Sequence, residues 1–117
     1  MKENSYKYRF NIEFLSEALD FLTSLDKKTR EKILENVRIS RFKNDPRLLK
    51  KIDKEFWEFR TNFKSKQFRL LAFWDKESKS LIIATHGFIK KTQKLPTKEL
   101  KRAKDIRNRY LNSKYKK

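Results

Sequence analysis

The chain has no cysteine, one histidine, one glycine and two prolines, and each shortage removes a class of protein. Without cysteine there is no disulfide framework and no thiolate metal site, and a single histidine leaves too few soft ligands for zinc. Catalysis must then run on Lys, Arg, His, Tyr and carboxylates, with no metal and no cofactor expected. Gly87, Pro46 and Pro96 are the only chain punctuators of their kind, and no internal repeat or low-complexity linker is present, so residues 1–117 read as one domain. Long apolar runs are missing as well. Leu70 to Trp74 and Leu81 to Phe88 are far too short to span a bilayer, and MKENSYKYRF lacks the apolar core and cleavage site of a signal peptide. A soluble cytoplasmic protein with no membrane partner is expected. The last shortage is acidic: 15 Asp and Glu stand against 32 Lys and Arg, a net charge of +17. Such a field draws polyanions with an affinity that falls as salt rises, which makes nucleic acid the expected partner class.

The apolar residues that are present fall into clear periods. Tyr6, Tyr8, Phe10 and Ile12 alternate with Lys7, Arg9 and Asn11 as a first strand. Phe14, Leu15, Ala18, Phe21, Leu22 and Leu25 then recur at helical spacing, predicting an amphipathic helix from Glu13 to Leu25. Asp26 is placed to cap a second helix from Lys27 to about Phe42, with Ile33, Leu34 and Val37 on its buried side. Asn44-Asp45-Pro46 ends that helix, because the residue before a proline is driven out of helical geometry. Leu48 to Asp53 reads as an irregular return.

Three strands follow, Phe56 to Phe63, Gln67 to Asp75 and Leu81 to Phe88. Trp57 and Trp74 fall on the apolar phase of theirs, as core residues do. Gln67 and Arg69 stand opposite Phe68, Leu70, Ala72 and Trp74, and polar groups at the open end of a central strand suggest a cleft. The chain bends or is closely approached at Gly87. A final helix begins near Pro96 and carries the apolar stripe Leu100, Ala103, Ile106 and Tyr110. Its other face holds Lys98, Lys101, Arg102, Lys104, Arg107 and Arg109, with only Glu99 and Asp105 on the helix to pair with them. Lys114, Lys116 and Lys117 read as a frayed basic end. The order β-α-α-β-β-β-α predicts an α+β fold, a small mostly antiparallel sheet with a helical hairpin on one face.

The chemistry favoured by these residues is phosphate chemistry on RNA. RNA carries its own nucleophile, the 2′-hydroxyl, so a protein need only orient it, take its proton, neutralise the phosphorane and protonate the departing 5′-oxygen. A guanidinium fork matches two phosphate oxygens. Arg60 and Arg69 lie on neighbouring strands joined by the short Lys64-Ser65-Lys66 turn and are candidates to bracket one phosphate. Strict alternation places His86 on the face of Ala84 and Phe88. With an ordinary pKa of about 6.5, lowered by nearby cations, it is the expected base, with Lys90 or Lys91 on the leaving side.

Three segments carry a family resemblance: FWEFR ending at Arg60, QFRLLAFW with Arg69, and HGFIKKTQKLP followed by KELKRA. From Tyr8 to Tyr110 the chain resembles the RelE/ParE toxin superfamily, in its HigB-type, phage-derived branch. The resemblance implies a RelE-like fold and an mRNA interferase that cleaves mRNA on the ribosome without a metal and is neutralised by a cognate antitoxin. That antitoxin is typically of the helix-turn-helix type, so DNA is reached only through it. The resemblance places Arg69 at the scissile phosphate and Lys90 or Lys91 at the basic position after the last strand. Lys64, Lys66, Lys94, Lys98, Lys101 and Arg102 are the expected RNA contacts. The tyrosine that serves RelE in its final segment has no secure counterpart, since Tyr110 lies late in a long helix. Alternatives are a ParE-type inhibitor of DNA gyrase and a non-catalytic basic module that binds RNA or the ribosome.

Overall fold

The structure, a computed structural model, describes residues 8–94 and 96–115. The elements run β1 (Asn11–Phe14), α1 (Ser16–Thr23), α2 (Lys27–Ser40), β2 (Leu49–Lys51), β3 (Trp57–Phe63), β4 (Lys66–Trp74), β5 (Leu81–Lys90) and α3 (Thr97–Tyr115). The sheet order is β1-β5-β4-β3-β2, antiparallel except where β1 pairs with β5. This is the predicted α+β architecture with one short edge strand, β2, where an irregular return was expected. Leu49, Lys50 and Lys51 pair with Phe59, Glu58 and Trp57.

The hairpin α1–α2 covers one face of the sheet. Ala18, Leu22, Ile33 and Val37 meet Phe59, Phe68, Leu70, Ala72, Ile82 and Ala84 there, with Trp57 and Trp74 packed edge to face at 6.3 Å. Asp26 caps α2 as predicted, accepting from the Thr29 amide at 3.2 Å and the Thr29 hydroxyl at 2.6 Å. Leu34 differs from expectation: it is 38% exposed. The buried stripe of α2 is instead Thr29, Ile33, Val37 and Ser40, one continuous helical row in which small polar side chains flank two apolar ones.

The first strand also differs. It starts at Asn11 and runs through Glu13 and Phe14, which had been assigned to α1. Parallel pairing with Leu81 to Ala84 of β5 fixes these residues as strand, and α1 begins only at Ser16. Tertiary pairing has overridden local apolar spacing. Tyr6 and Lys7 of the predicted strand lie outside the described residues, as do Lys116 and Lys117.

The second face holds a smaller apolar cluster, in which Ala103, with Leu100 and Tyr110, brings α3 against Leu71, Phe73 and Ile83. A bulge in β5 determines which residues join it. Leu71 pairs with His86 and Ala72 with Ala84, so Thr85 has no partner across the ladder. The extra residue turns His86 onto the face of Ile83 and Phe88, while Ala84 stays under the hairpin. Simple alternation therefore misplaced His86 with Ala84.

Two tight places hold this sheet. Lys64 and Ser65, at φ of 52° and 64°, form a two-residue turn of left-handed residues between β3 and β4, a geometry that asparagine and glycine adopt at less cost. Gly87 is approached not by backbone but by the Phe21 ring of α1: a Cβ on it would stand 2.2 Å from that ring. The change Gly87→Ala is expected to cost roughly 1–3 kcal/mol through overpacking. In urea unfolding, adding Phe21→Ala should lose less than the sum of the two single changes; strict additivity would show that the ring is not the obstacle.

Candidate functional site

The part of the second face beyond α3 carries the cations. Arg60 lies directly across from Arg69, whose neighbour on β5 is Phe88; two pairs further along, Gln67 lies beside Asn62 and Lys90. Lys50 on β2 faces Glu58. Two arginines directly opposed on a sheet repel, and Glu58 offsets that repulsion. Its Oε2 lies 3.3 Å from Arg60 Nε and its Oε1 lies 3.6 Å from Arg69 Nε. Glu58 is 3% exposed and Arg69 1%.

Arg69 is held further by donating to the Phe68 carbonyl and to Gln67 Oε1, each at 2.9 Å, while Arg60 reaches the Pro46 carbonyl at 3.4 Å. Among the described residues, Glu58 Oε1, Arg60 Nε and Arg69 Nε are buried without an aligned hydrogen-bond partner. The pairs are close enough to attract but are not satisfied, an arrangement that favours a further acceptor. Lys90 completes the group. Its pKa is lowered by burial and then by Arg69, Arg60 and Lys50, against the opposing pull of Glu58.

Beside Lys90 an open cleft of about 690 Å³ separates the β3–β4 turn from the segment after β5, with Lys66, Gln67, Lys90 and Lys91 on its walls. Strand β5 continues through Lys90 because Phe68 and Gln67 still pair with Ile89 and Lys90. Lys90 is thus the last strand residue, and exposed Lys91 is the first beyond it.

His86 is on the same face but at the covered end. Its ring is fully buried; Nε2 lies 2.9 Å from Glu99 Oε1 of α3, and Nδ1 lies 3.1 Å from the Thr85 hydroxyl. With the proton on Nε2, the imidazole donates to Glu99, and its Nδ1 shares the one proton of the Thr85 hydroxyl with the Leu71 carbonyl, 3.2 Å from that hydroxyl. Burial lowers its pKa and outweighs the Glu99 hydrogen bond, so the neutral ring is favoured. Both nitrogens are engaged and the ring has no open surface, which separates it from the Arg60–Arg69–Lys90 group that the sequence had joined to it.

The expected RNA contacts fall at the β3–β4 turn, after β5 and on α3. Lys64 and Lys66 are exposed at the turn, the former 3.9 Å from Asp26, and Lys94 is exposed after β5. On α3, Lys101 pairs with Asp105 at 3.3 Å. The sparse internal pairing expected for this helix is made up from other elements: Lys104 meets Asp53, Arg107 meets Glu55 and Arg109 meets Glu17. Lys98 and Arg102 are exposed and make no salt bridge among the described residues.

Residues 20–108 match the family described as Phage derived protein Gp49-like (DUF891). The chain belongs to this family, a family of RelE/HigB-type toxins. Among solved structures, the Gp49-like chain is similar to the toxin-antitoxin complex RelBE2 from Mycobacterium tuberculosis, at 15% identity and a TM-score of 0.55 over 70% of this chain and 99% of that one. It is similar to a mutant of the E. coli toxin RelE in the free state, at 15% identity and a TM-score of 0.56 over 83% of this chain and 96% of that one. These likenesses show a RelE-like fold. No curated protein matches the sequence. No helix among the described residues is long and apolar enough to cross a membrane.

Two members of this Gp49-like site escaped sequence reasoning. Glu58 was not singled out, although it is the one carboxylate within β3 and β4, a sheet segment rich in cations. Lys50 was hidden in what read as an irregular return. Tyr110, the late tyrosine of α3, lies away from Arg60, Arg69 and Lys90, packed on Phe73 at 5.7 Å with its hydroxyl 3.4 Å from Asp75 and accepting from Lys114 at 3.1 Å.

Asp75 anchors the far end of α3, accepting from Lys114 at 3.0 Å and Tyr115 at 3.1 Å. Burial raises its pKa, but the Ser78 amide, Lys114, Tyr115 and the Glu77 amide outweigh this and pull it from 3.8 to about 2. A pKa lower in the folded than in the unfolded chain gives stability that is complete above 3.8 and lost as pH falls toward about 2. The urea midpoint should drop across that interval and drop less in Asp75→Asn; equal slopes in both proteins would exclude the anchor.

Proposed function

We propose that this protein is the toxin of a toxin-antitoxin pair and that it cleaves mRNA on the ribosome through the Arg60–Arg69–Lys90 face. The observation that carries this reading is the buried, incompletely satisfied Glu58–Arg60–Arg69 cluster beside a lysine of lowered pKa. Cations fixed on a sheet are aimed, whereas the same charges on a tail only attract. The scissile phosphate takes the acceptor place that Glu58 fills incompletely, and the guanidinium of Arg60, with Arg69 behind it, neutralises the phosphorane.

Lys90 takes the proton role first expected of His86. Its neutral amine accepts the proton of the 2′-hydroxyl as that oxygen attacks phosphorus. The bond from phosphorus to the 5′-oxygen then breaks, and the ammonium of Lys91 protonates the leaving oxygen. The products are a 2′,3′-cyclic phosphate and a 5′-hydroxyl. His86 serves as a positioning residue that holds α3 on the sheet through Glu99.

Lys64, Lys66, Lys94, Lys98 and Arg102 border the site as contacts for ribosomal and messenger RNA, and Lys101 adds to them beyond its pairing with Asp105. The partner that silences the toxin is an antitoxin, as in the RelBE2 complex. An acidic antitoxin surface complements a chain of +17, and the cytoplasm is where both meet ribosomes.

Purified protein added to ribosomes stalled on a defined mRNA should cut at specific sites. Lys90→Met and Arg60→Ala, with circular dichroism unchanged, should each slow single-turnover cleavage by at least about a hundredfold, the usual scale for a proton-transfer or charge-stabilising group. The rate of the wild type should rise with pH through a limb below the ordinary lysine value of 10.5 that Lys90→Met lacks. Undiminished cutting by both variants would remove these residues from the chemistry. Intact mRNA with broken DNA in cells would turn the assignment to gyrase.

A further inference from the structure

The end of the sheet remote from the cleft carries a second concentration of cations, and this one includes aromatic rings. Tyr8 leads into β1, whose Asn11 pairs with Leu81, the first residue of β5, whereas Lys90 is the last. Ten strand residues at roughly 3.3 Å each put the two places about 30 Å apart. The chain entering β1 meets the end of α2 here, where the Arg9 amide donates to the Arg41 carbonyl at 2.7 Å.

The plane of the Arg41 guanidinium is fixed. Its Nε donates to the Phe10 carbonyl at 2.8 Å and its Nη2 to Asn11 Oδ1 at 3.2 Å. Donors spent along that edge leave the flat faces for stacking, and the guanidinium carbon lies over the Tyr8 ring, 3.6 Å from its centroid. Phe42 extends the stack, its ring 4.7 Å from that of Tyr8 and tilted by 38°. Tyr8 is nonetheless 50% exposed, and its hydroxyl makes no hydrogen bond among the described residues.

The charges around this stack are in excess. Glu35 and Asp45 are each held by two hydrogen bonds from one arginine, Arg38 and Arg47. Arg9, Arg41 and Lys43 make no ion pair among the described residues. Helix capping accounts for Arg9, which donates to the Ser40 and Lys43 carbonyls at 2.7 and 3.2 Å where α2 ends. It does not account for an exposed phenol laid on a guanidinium whose plane is set by other contacts. A carboxylate would take the Nε–Nη2 fork of Arg41, which is occupied. An unpaired base needs only faces, and stacks on aromatic rings and guanidinium planes with its phosphates near cations.

We propose that Tyr8, backed by Arg41 and Phe42, is a stacking platform for a base of single-stranded RNA, with Arg9 and Lys43 serving the flanking phosphates. The platform is separate from the cleavage face and stands on its own geometry, independent of the nuclease reading. A strand that engages both is held at two points, each raising the effective concentration of the other.

The full chain carrying Lys90→Met, which keeps the RNA whole, is titrated with a uridine heptamer containing one central adenosine. The Phe42 and Lys43 amide signals are followed by NMR, so that binding in the cleft does not enter. Tyr8→Leu keeps apolar bulk without an aromatic face and should weaken this local binding about 5- to 150-fold, the scale of one stacked base. Tyr8→Trp should restore it. An abasic heptamer, with the phosphates alone, should bind the parent and Tyr8→Leu equally.

Unmoved Phe42 and Lys43 signals, or local affinity untouched by Tyr8→Leu, overturn the platform. An equal loss for the abasic strand overturns it too, and would mark a surface for an acidic protein. If Tyr8→Leu loses its fold by circular dichroism, the parent chain settles the matter: a stacked base moves the Tyr8 ring protons upfield, and unshifted ring protons overturn the proposal. Ribosome binding distinguishes the source of the strand. Weakening by Tyr8→Leu on ribosomes without message supports a ribosomal RNA strand, and weakening only on message-loaded ribosomes supports mRNA.

Discussion

One buried carboxylate governs this structure. Glu58 lies between Arg60 and Arg69, which the antiparallel register forces into direct opposition. Without a compensating charge, two guanidiniums face to face on a sheet, one of them 1% exposed, would destabilise the strands that carry them. With it, the pair is held at ion-pair distance but not in good hydrogen-bond geometry. The fold thus retains concentrated positive charge on its most rigid element. It does so by violating a local rule that the rest of the sheet obeys, as functional sites commonly do.

The other devices define the open part of that site. The bulge at Thr85 rotates β5 so that His86 meets Glu99 of α3, and Asp75 fixes the far end of the helix. Helix α3 therefore covers Leu71, Phe73 and Ile83 while the Arg69 end remains open. Its many cations look like an RNA-binding stripe in sequence, yet Lys104, Arg107 and Arg109, half of the six, pair with carboxylates from two other parts of the chain. The charge of +17 is consequently unevenly usable. The sheet floor, the β3–β4 turn and the first turns of α3 hold the cations best placed to meet a phosphate backbone.

Sequence periodicity disclosed the hairpin, the three-strand meander, the last helix and the placement of Arg60 and Arg69 on neighbouring strands, because each rests on local spacing. The parts it missed depend on contacts distant in the chain. Asn11 to Phe14 are strand only because β5 runs beside them, and Leu49 to Lys51 only because β3 does. His86 lies with Phe88 but not with Ala84 because of one unpaired residue, and alternation carries no trace of a bulge. Gly87 was recognised as a place of close approach, but that an aromatic ring and not backbone fills the space is visible only once α1 is docked. Glu58 was legible as a lone acid among cations; that it reaches both arginines was not.

The most direct measurement is the chemistry of the ends left on the RNA. If charges fixed on the sheet direct the RNA's own 2′-hydroxyl at the phosphate, mRNA cut on a stalled ribosome must carry a 2′,3′-cyclic phosphate, or its hydrolysis product, on one side and a 5′-hydroxyl on the other. Mass spectrometry of the two fragments reads this at once. A 5′-phosphate facing a free 3′-hydroxyl would mean that water, and not the 2′-oxygen, made the attack, and would contradict the account of Arg60, Arg69 and Lys90.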